Sequence, residues 1–444
     1  MEIKQFEDSG LSHYAYAITS ESAREIILID PARDISPYVA YAKEQQATIV
    51  GVIATHPHAD FVSGHLELHQ LTGATLYCSQ LLGATYPHQT FDDGDEIVLG
   101  DLKLTAMNTP GHSPDSISIL LTHQGSNKAV FTGDTLFIGD CGRPDLRENV
   151  GNLTAKREEL ARQMYHSLHD KLMLLEDEVL VYPAHGAGTL CGKSLGKEKQ
   201  STIGIEKINN WSLQEMSEAA FVHALNEGQP FIPKYFPYNV EVNKRGAANL
   251  VHTIAAVRRA PQGAMDENIM IVDTRPAAIF KSSHLPGSIN LQNGGKFETW
   301  LGSIIAPAEP FYLVAESEEA LDNVIARCSK IGYETFIENA FVFESGNANM
   351  EMIDIENFTN RPQDYTIVDI RNNNESDEQP VFENAWRIPL PELREKAMII
   401  PQNKPIVVHC AGGYRSAAGS SLIKSAGNKA KVFDLGENIK KFIE

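Results

Sequence analysis

The residues with the clearest chemical potential in this chain are histidines and aspartates that follow short apolar runs. His56, His58 and Asp60 occupy alternate positions in T-H-P-H-A-D-F, directly after the run T-I-V-G-V-I-A. Further candidates follow other such runs: His112, Asp134 and His185. Imidazole and carboxylate groups that are gathered in one place bind divalent metal ions. The pattern therefore predicts a metal site, provided that the fold brings these loops together.

A second candidate site lies near the carboxyl end, where the run I-V-V-H ends at Cys410 and A-G-G-Y-R follows. The next residues, S-A-A-G-S-S-L-I-K, are typical of the start of a helix packed through small side chains. A helix amino terminus favours a thiolate, and the N–H groups of a glycine-containing loop can surround its anion. We therefore predict that Cys410 is a reactive sulfur carrier and that Arg415 clamps the anion.

Short strands rich in β-branched residues must position these loops. We predict strands over 25–30, 48–55, 98–106, 128–134 and 178–183. Helical stretches separate them, so the first 200 residues are predicted to be α/β. Because strand ends in a layered sheet meet at one rim, the candidate ligands would converge there. A further helix is predicted over 212–226, with Ser212 as its N-cap.

Two segments in the second half of the chain repeat each other. I-V-D-T-R at 271–275 recurs as I-V-D-I-R at 367–371, an offset of 96 residues, and F-Y-L-V-A at 311–315 has its counterpart in I-V-V-H-C at 406–410, an offset of 95. Two nearly equal offsets indicate a duplication. A length of 444 residues also suggests about three domains. We predict domain boundaries that give residues 1–254, 255–350 and 351–444.

The middle segment (residues 255–350) lacks the chemistry of its repeat. In the alignment, Ala315 stands in the place of Cys410 and Ala320 in the place of Arg415, and three glutamates lie in the aligned loop. An acidic loop opposes a thiolate or a persulfide anion. We therefore expect an inactive domain of the same α/β fold, which acts as a spacer or docking surface.

Composition and charge exclude several classes of function. The chain has 38 basic and 58 acidic residues, a formal charge of -20, and such a surplus repels a phosphate backbone. We expect no nucleic-acid partner, and no membrane partner either, because no run approaches the roughly 18 apolar residues of a membrane helix. The five cysteines are scattered and odd in number, and the amino terminus does not look like a targeting segment. These features predict a reducing, cytoplasmic location.

Over residues 1 to about 250, the H-x-H-x-D pattern with its later His, Asp and His resembles the metallo-β-lactamase superfamily. The resemblance implies an αββα sandwich with up to two metal sites. Phe61 departs from the family pattern, which has a second-site histidine there, so two-zinc hydrolysis becomes less favoured. The persulfide dioxygenase branch is similar and implies one Fe(II) per chain, held by His56, His112 and Asp134, with positions left for dioxygen and a substrate sulfur.

The same resemblance implies roles for neighbouring side chains. His58, Asp60 and His185 would orient the ligands or hydrogen-bond bound oxygen. The stretch I-G-D-C-G-R-P-D at 138–145 resembles a loop of the dioxygenase branch, in which Arg143 would hold the carboxylate of a thiol substrate. Cys141 in that loop is either functional or loop filler.

The C-terminal segment (residues 351–444) resembles rhodanese, because Cys410 is followed by four residues and Arg415, whereas cysteine phosphatases use a longer C-x5-R turn. The stretch at 185–196 resembles bacterial fusions with rhodanese, and its Cys191 either passes on sulfur as a catalytic residue or is packed and inert. Over its whole length the chain resembles the bacterial persulfide dioxygenase-rhodanese fusions of sulfide detoxification. The implied fold is α/β multidomain: a metallo-β-lactamase sandwich followed by two rhodanese-like domains.

This resemblance implies oxidation of a low-molecular-weight thiol persulfide by O2 to sulfite, and transfer of sulfur by Cys410 to sulfite, which gives thiosulfate. The identity of the thiol stays open among glutathione, coenzyme A, bacillithiol and other thiols. Superfamily relatives imply a homo-oligomer, either a dimer or a tetramer. Two alternatives remain, a dizinc thioester hydrolase of the glyoxalase II type and a non-enzymatic sulfur-relay module.

Overall fold

The computed structural model describes residues 1–146, 157–263 and 265–443, and the chain divides into two compact units. The first unit comprises Met1–Leu250 and Lys330–Gly332, and the second comprises Val251–Ser329 and Tyr333–Glu444. The change from one unit to the other after Leu250 lies close to the predicted boundary at residue 254.

The first unit contains two six-stranded sheets within the described residues. The first sheet runs in chain order: β1 (Glu2–Asp8), β2 (His13–Ser20), β3 (Glu25–Ile29), β4 (Thr48–Ile53), β5 (Thr75–Cys78) and β6 (Gln89–Thr90). The second sheet runs in reverse chain order from β12 to β7: β7 (Glu96–Leu99), β8 (Leu102–Asn108), β9 (Ile117–His123), β10 (Ser126–Gly133), β11 (Leu180–Pro183) and β12 (Ser201–Thr202). Parallel pairing joins β3 to β4, β4 to β5, β5 to β6 and β10 to β11.

Helices cover the outer faces of these two sheets. They are α1 (Ser36–Glu44), α2 (His65–Thr72), α3 (Arg157–His169), α4 (Ile203–Asn209) and α5 (Glu218–Asn226). Two further helices follow along the chain, α6 (Phe236–Arg245) and α7 (Leu250–Ala255). Alternate residues of β3 show the layering, because Ile27 packs between the sheets whereas Leu28 packs against the helical side. Leu68 of α2 belongs to the core on the outer side of the first sheet, and Met164 of α3 belongs to that of the second sheet. The predicted αββα sandwich is confirmed.

Two local predictions were wrong. The predicted strand over 98–106 is a hairpin of β7 and β8, and Gly100 at its turn has a φ of +62°, a conformation that glycine adopts without strain. The predicted helix over 212–226 begins only at Glu218, because the Ser217 side chain caps it by accepting a hydrogen bond from the Ala220 N–H.

Over its described residues, the second unit contains two four-stranded parallel sheets with the same strand order. The middle segment has the order β14, β13, β15, β16, and the C-terminal segment has the order β18, β17, β19, β20. The strands are β13 (Met270–Asp273), β14 (Ile289–Asn290), β15 (Phe311–Ala315), β16 (Ile337–Val342), β17 (Thr366–Asp369), β18 (Trp386–Arg387), β19 (Ile406–His409) and β20 (Val432–Asp434). This common order is what a duplication leads us to expect.

Helices alternate with these strands, as parallel crossovers require. They are α8 (Ala277–Ser282), α9 (Phe297–Ile304), α10 (Glu318–Lys330), α11 (Ile355–Asn360), α12 (Asn373–Glu378), α13 (Leu390–Lys396) and α14 (Tyr414–Ser425). Short 3-10 helices span Gln80–Leu82, Leu172–Leu174, Trp211–Leu213, Glu334–Phe336, Pro362–Asp364, Ala397–Ile399 and Gly436–Phe442. Over the described ranges, none of the helices has both the length and the apolar character needed to cross a bilayer.

Candidate functional site

Three buried side chains converge beyond the ends of β4, β8 and β10. His56 follows β4, His112 lies between β8 and β9, and Asp134 directly follows β10. The Oδ2 atom of Asp134 lies 3.7 Å from His56 Nε2 and 3.4 Å from His112 Nε2. These atoms form a group that could hold a metal ion. The structure therefore brings together the three residues that sequence analysis proposed as ligands.

The imidazole of His56 is oriented by hydrogen bonds that leave one ring nitrogen available. Thr55 donates its hydroxyl proton to Asp30 Oδ2 at 2.7 Å, and His56 Nδ1 lies 3.0 Å from the Thr55 hydroxyl oxygen. Because that hydroxyl proton is already used, the His56 Nδ1–H must be the donor. His56 Nε2 then carries a lone pair, and it is buried without a hydrogen-bond partner among the described residues.

His112 is held in the same tautomer by a backbone carbonyl. Its Nδ1 lies 3.0 Å from the carbonyl oxygen of Arg143, to which only an N–H can donate. Burial lowers the pKa of both His56 and His112, which keeps them as neutral imidazoles. Asp134 Oδ2 is also buried and has no hydrogen-bond partner in the described part of the chain. Two lone pairs and one carboxylate oxygen thus suit a divalent cation.

His185 lies between two carboxylates on the other side of Asp134. Its Nδ1 is 2.7 Å from Asp134 Oδ1, and its Nε2 is 2.7 Å from Asp60 Oδ2. Burial opposes a charge there, but the two carboxylates raise the pKa of His185 well above its usual value. His185 therefore fixes the orientation of the Asp134 carboxylate, which is one of the two roles that the sequence resemblance implies for it.

Phe61 occupies a buried position beside this cluster. Its ring centroid is 4.4 Å from that of His58 and 3.9 Å from that of His13, and only 1% of the residue is exposed. His58 Nε2 in turn lies 3.1 Å from Asp30 Oδ1. An apolar ring that offers no ligand atom therefore packs against His58, whose own ring centroid lies 4.1 Å from that of the candidate ligand His56.

Arg143 has a different environment from the one that sequence analysis predicted. Its guanidinium is 1% exposed and makes a bidentate ion pair with Asp145, at 2.6 and 2.7 Å. It also donates to the carbonyl oxygen atoms of Leu190 and Phe231. A guanidinium that is buried and paired in this way is not presented to a substrate carboxylate. The Arg143 side chain thus holds its own loop in place, and the backbone carbonyl of Arg143 orients His112.

Cys191 and Cys141, for each of which the sequence leaves two interpretations, are both buried thiols. Cys191 lies in a second group of possible metal ligands, with Asp60 and His185. Burial and the carboxylates of Asp134 and Asp60 hold the pKa of the Cys191 thiol well above its usual value. Cys141 belongs to the apolar core beneath the second sheet, where burial also raises its pKa. Neither environment favours a thiolate nucleophile.

The candidate sulfur site of the C-terminal segment lies between β19 and α14. Cys410 directly follows β19 and is 1% exposed, and the N–H of Gly413 donates to its Sγ at 3.1 Å. Gly413 has a φ of +98°, and a Cβ there would lie 2.9 Å from the Glu437 nitrogen, so glycine is required. The loop thus directs an N–H at the sulfur, as the sequence predicts.

Arg415 is held by a residue that sequence analysis missed. Both of its terminal nitrogens donate to the Glu375 carboxylate at 2.6 Å. Burial acts to raise the pKa of Glu375, but Arg415 lowers it. Glu375 follows the strand end I-V-D-I-R by four residues, and that spacing was the available signal. Asp30 and Thr55 were missed similarly, although Asp30 ends a predicted strand.

Known protein families match each of the two units separately. The metallo-beta-lactamase superfamily model matches residues 9–185, and the rhodanese-like domain model matches residues 354–442. A solved metallo-beta-lactamase from Staphylococcus aureus subsp. aureus COL is 31% identical, with a TM-score of 0.69, and the match covers 77% of this chain and 98% of that chain. The chain belongs to the metallo-beta-lactamase superfamily. This superfamily member also carries a C-terminal rhodanese-like domain, as predicted.

Two curated relatives are similar to the superfamily domain. The mitochondrial persulfide dioxygenase ETHE1 of Homo sapiens is 33% identical over 174 residues, and the cytoplasmic hydroxyacylglutathione hydrolase of Arabidopsis thaliana is 34% identical over 176. Each alignment covers 39% of this chain and 63% of the relative, which is less than two thirds of its length. Identity alone does not distinguish the two activities, so the residues of the site must do so.

Proposed function

We propose that this chain is an Fe(II)-dependent persulfide dioxygenase with a sulfurtransferase domain. The observation that carries the proposal is the combination of three convergent donors, His56, His112 and Asp134, with the apolar ring of Phe61, which packs against the neighbouring His58. Two imidazoles and one carboxylate are typical of non-haem iron oxygenases, whereas structural zinc sites are usually closed by four ligands. The similarity to ETHE1 supports the same branch.

The proposed reaction balances as RSSH + O2 + H2O → RSH + SO3²⁻ + 2 H⁺. Bound Fe(II), one per chain, would supply a redox-active centre with free coordination positions. The chain's own residues fix the donors: Thr55 and the Arg143 carbonyl hold the two imidazoles, and His185 holds a proton at Nδ1 against Asp134. Phe61 and the other buried side chains around the donors would limit the access of water to a bound sulfur.

The C-terminal segment would complete the sequence with a sulfur transfer. The Cys410 thiol takes the outer sulfur from a second persulfide, Cys410-SH + RSSH → Cys410-SSH + RSH. The persulfide anion then gives that sulfur to sulfite, so that a sulfur–sulfur bond breaks, thiosulfate forms and the Cys410 thiolate is restored. Joining the two activities in one chain raises the effective concentration of sulfite. We place this activity in the cytoplasm, in a dimer or tetramer.

A second candidate function rests on a separate observation. Asp60, His185 and Cys191 form another group whose donor atoms lie within 4.8 Å of one another. With the first group it could hold two zinc ions, which is the arrangement of a thioester hydrolase, and the Arabidopsis hydrolase is as similar in sequence as ETHE1. Phe61 disfavours this function because a carbon ring replaces a ligand of the second ion.

The test combines metal analysis with an oxygen electrode. Protein reconstituted with Fe(II) is given the persulfides of glutathione, coenzyme A and bacillithiol in turn, and oxygen uptake is recorded. We expect one iron per chain and uptake with at least one persulfide. The variant His112→Ala should lose iron and uptake together, whereas His223→Ala, which changes an exposed histidine on α5, should lose neither. Two zinc ions per chain with thioester turnover and no uptake would contradict the proposal.

A further inference from the structure

The helix that follows Cys410 packs against the middle segment of the same unit. The Tyr414 hydroxyl donates to the Gln292 carbonyl at 2.7 Å. Its ring lies on the backbone of Gly294, where a Cβ would come within 2.4 Å of the ring edge. Tyr414 is the first residue of α14, and it directly follows the glycine whose N–H contacts the Cys410 sulfur. The middle segment therefore contacts the reactive loop at its junction with the helix.

Arg415, the next residue, is held between the two segments. Its nitrogens are bound by Glu375 of the C-terminal segment, and its Cζ lies 5.7 Å from the ring centroid of Trp300 of the middle segment. This separation is within the range of a cation–π contact. Trp300 lies on α9 and is 8% exposed. The guanidinium thus has its hydrogen-bonding edge and one face fixed by protein.

Polar contacts at some distance from the loop fasten the same two segments to each other. Lys281 pairs with Asp434 at 2.6 Å, and the Asn290 N–H donates to the Ser421 hydroxyl at 2.8 Å. Arg394 makes a bidentate pair with Glu309. Asp434 and Ser421 are buried, whereas the Arg394–Glu309 pair is partly exposed. The surface that carries Trp300 is consequently held in a fixed register against α13 and α14.

We propose that Trp300 is a positioning residue of the Cys410 site, contributed by a segment that has Ala315 in the place of that cysteine. This inference rests on the proposed sulfurtransferase activity. Trp300 and Glu375 hold Arg415, and Gln292 holds Tyr414, so the first turn of α14 keeps the Gly413 N–H directed at the Cys410 sulfur. Because Arg415 is committed to these contacts, its role is to hold the loop, and the loop N–H groups stabilise the sulfur anion.

The test uses the full chain and two independent measurements. Glutathione persulfide is the sulfur donor and cyanide is the acceptor. The rate of thiocyanate formation gives kcat, and KM for each of these two substrates. Hydrogen exchange followed by mass spectrometry reports the protection of residues 410–416. We expect Trp300→Ala to lower kcat/KM about tenfold, mainly through kcat, and to deprotect this loop. Trp300→Phe should restore most of kcat/KM and most of the protection of the loop. Trp386→Ala, which removes an exposed tryptophan of the C-terminal segment, is the matched control.

Wild-type transfer and exchange in Trp300→Ala would overturn the inference, as would an equal loss in Trp386→Ala. If Trp300→Ala raises exchange throughout the unit, Tyr414→Phe decides instead, because it removes only the hydrogen bond to Gln292. A loop deprotected locally in that variant supports the inference, and an unchanged loop refutes it. If wild-type protein forms no thiocyanate, the proposed function fails, whereas the exchange comparison still decides whether Trp300 holds the loop.

Discussion

The two four-stranded sheets of the second unit share a scaffold and differ at one strand end. In the middle segment, Arg275 makes a buried ion pair with Asp273, and in the C-terminal segment Arg371 makes the same pair with Asp369. Each pair lies at the end of the first strand of its repeat, with the nitrogens and oxygens 2.6 to 3.2 Å apart. The neighbouring strand is followed directly by Cys410 in the C-terminal segment (β19) and ends at Ala315 in the middle segment (β15).

This difference separates what maintains the fold from what does chemistry. The Asp-x-Arg pair is retained in both copies because a buried charge requires its partner. The cysteine, the glycine loop and the Glu375–Arg415 pair occur together only in the C-terminal copy. The middle segment instead contributes contacts to the first turn of α14, among them those of Gln292, Gly294 and Trp300. If the inference about Trp300 holds, a segment without the cysteine positions the loop of the segment that has one.

The largest effect should come from Cys410→Ser. We expect sulfur transfer to fall by at least about 1000-fold, because the group that forms the covalent intermediate is gone. Oxygen uptake should persist, and the product should shift from thiosulfate to sulfite, as measured by ion chromatography beside an oxygen electrode. Cys328→Ala, which removes a buried thiol from α10, is the control and should leave the product ratio unchanged. Abolished uptake in Cys410→Ser would contradict the proposed division of labour.

The shared scaffold can be tested by breaking its ion pair in each copy separately. Arg275→Ala and Arg371→Ala each leave a buried carboxylate without its partner, which costs about 3 to 5 kcal/mol. Hydrogen exchange should therefore lose protection by about 100-fold or more, at β13 in the first variant and at β17 in the second. Equal losses would indicate equivalent roles. A loss at only one sheet would show that the two pairs are not equivalent.

The sequence predicted those features that depend on strand ends and on spacing. The convergence of His56, His112 and Asp134 follows from three loops at one rim of a layered sheet, and the equivalence of the last two sheets follows from two offsets. The rhodanese-like nature of the middle segment stays a prediction, because the matching family model covers only residues 354–442. Its strand order supports that prediction.

Contacts between residues that are distant in sequence could not be predicted from strand ends and spacing. Arg143 is fixed by Leu190 and Phe231, and no local pattern around residue 143 indicates them. The same holds for Trp300 and Arg415, which are far apart in sequence. The hairpin at Gly100 was missed for another reason. Apolar residues occur on both sides of the turn, so the segment looks like one strand, although Gly100 adopts the positive φ that the turn requires.

The smallest effect should come from restoring the cysteine alone in the middle copy. Ala315→Cys, in a Cys410→Ser background, should show no sulfane sulfur on residue 315 by intact-protein mass spectrometry after treatment with glutathione persulfide. Ala315 is fully buried, so the added sulfur atom should cost about 1 kcal/mol through overpacking.

The reason lies in the loop that follows. In the C-terminal segment the Gly413 N–H is donated to the sulfur. In the middle segment Glu318 stands in the place of Gly413, and the loop is closed by a hydrogen bond from the Ala320 N–H to the Ser317 hydroxyl. The aligned loop also carries Glu316, Glu318 and Glu319, which repel a thiolate. A mass increase of one sulfur atom on Ala315→Cys, absent from the Cys410→Ser parent, would show that the strand end alone suffices and that the loop contributes little.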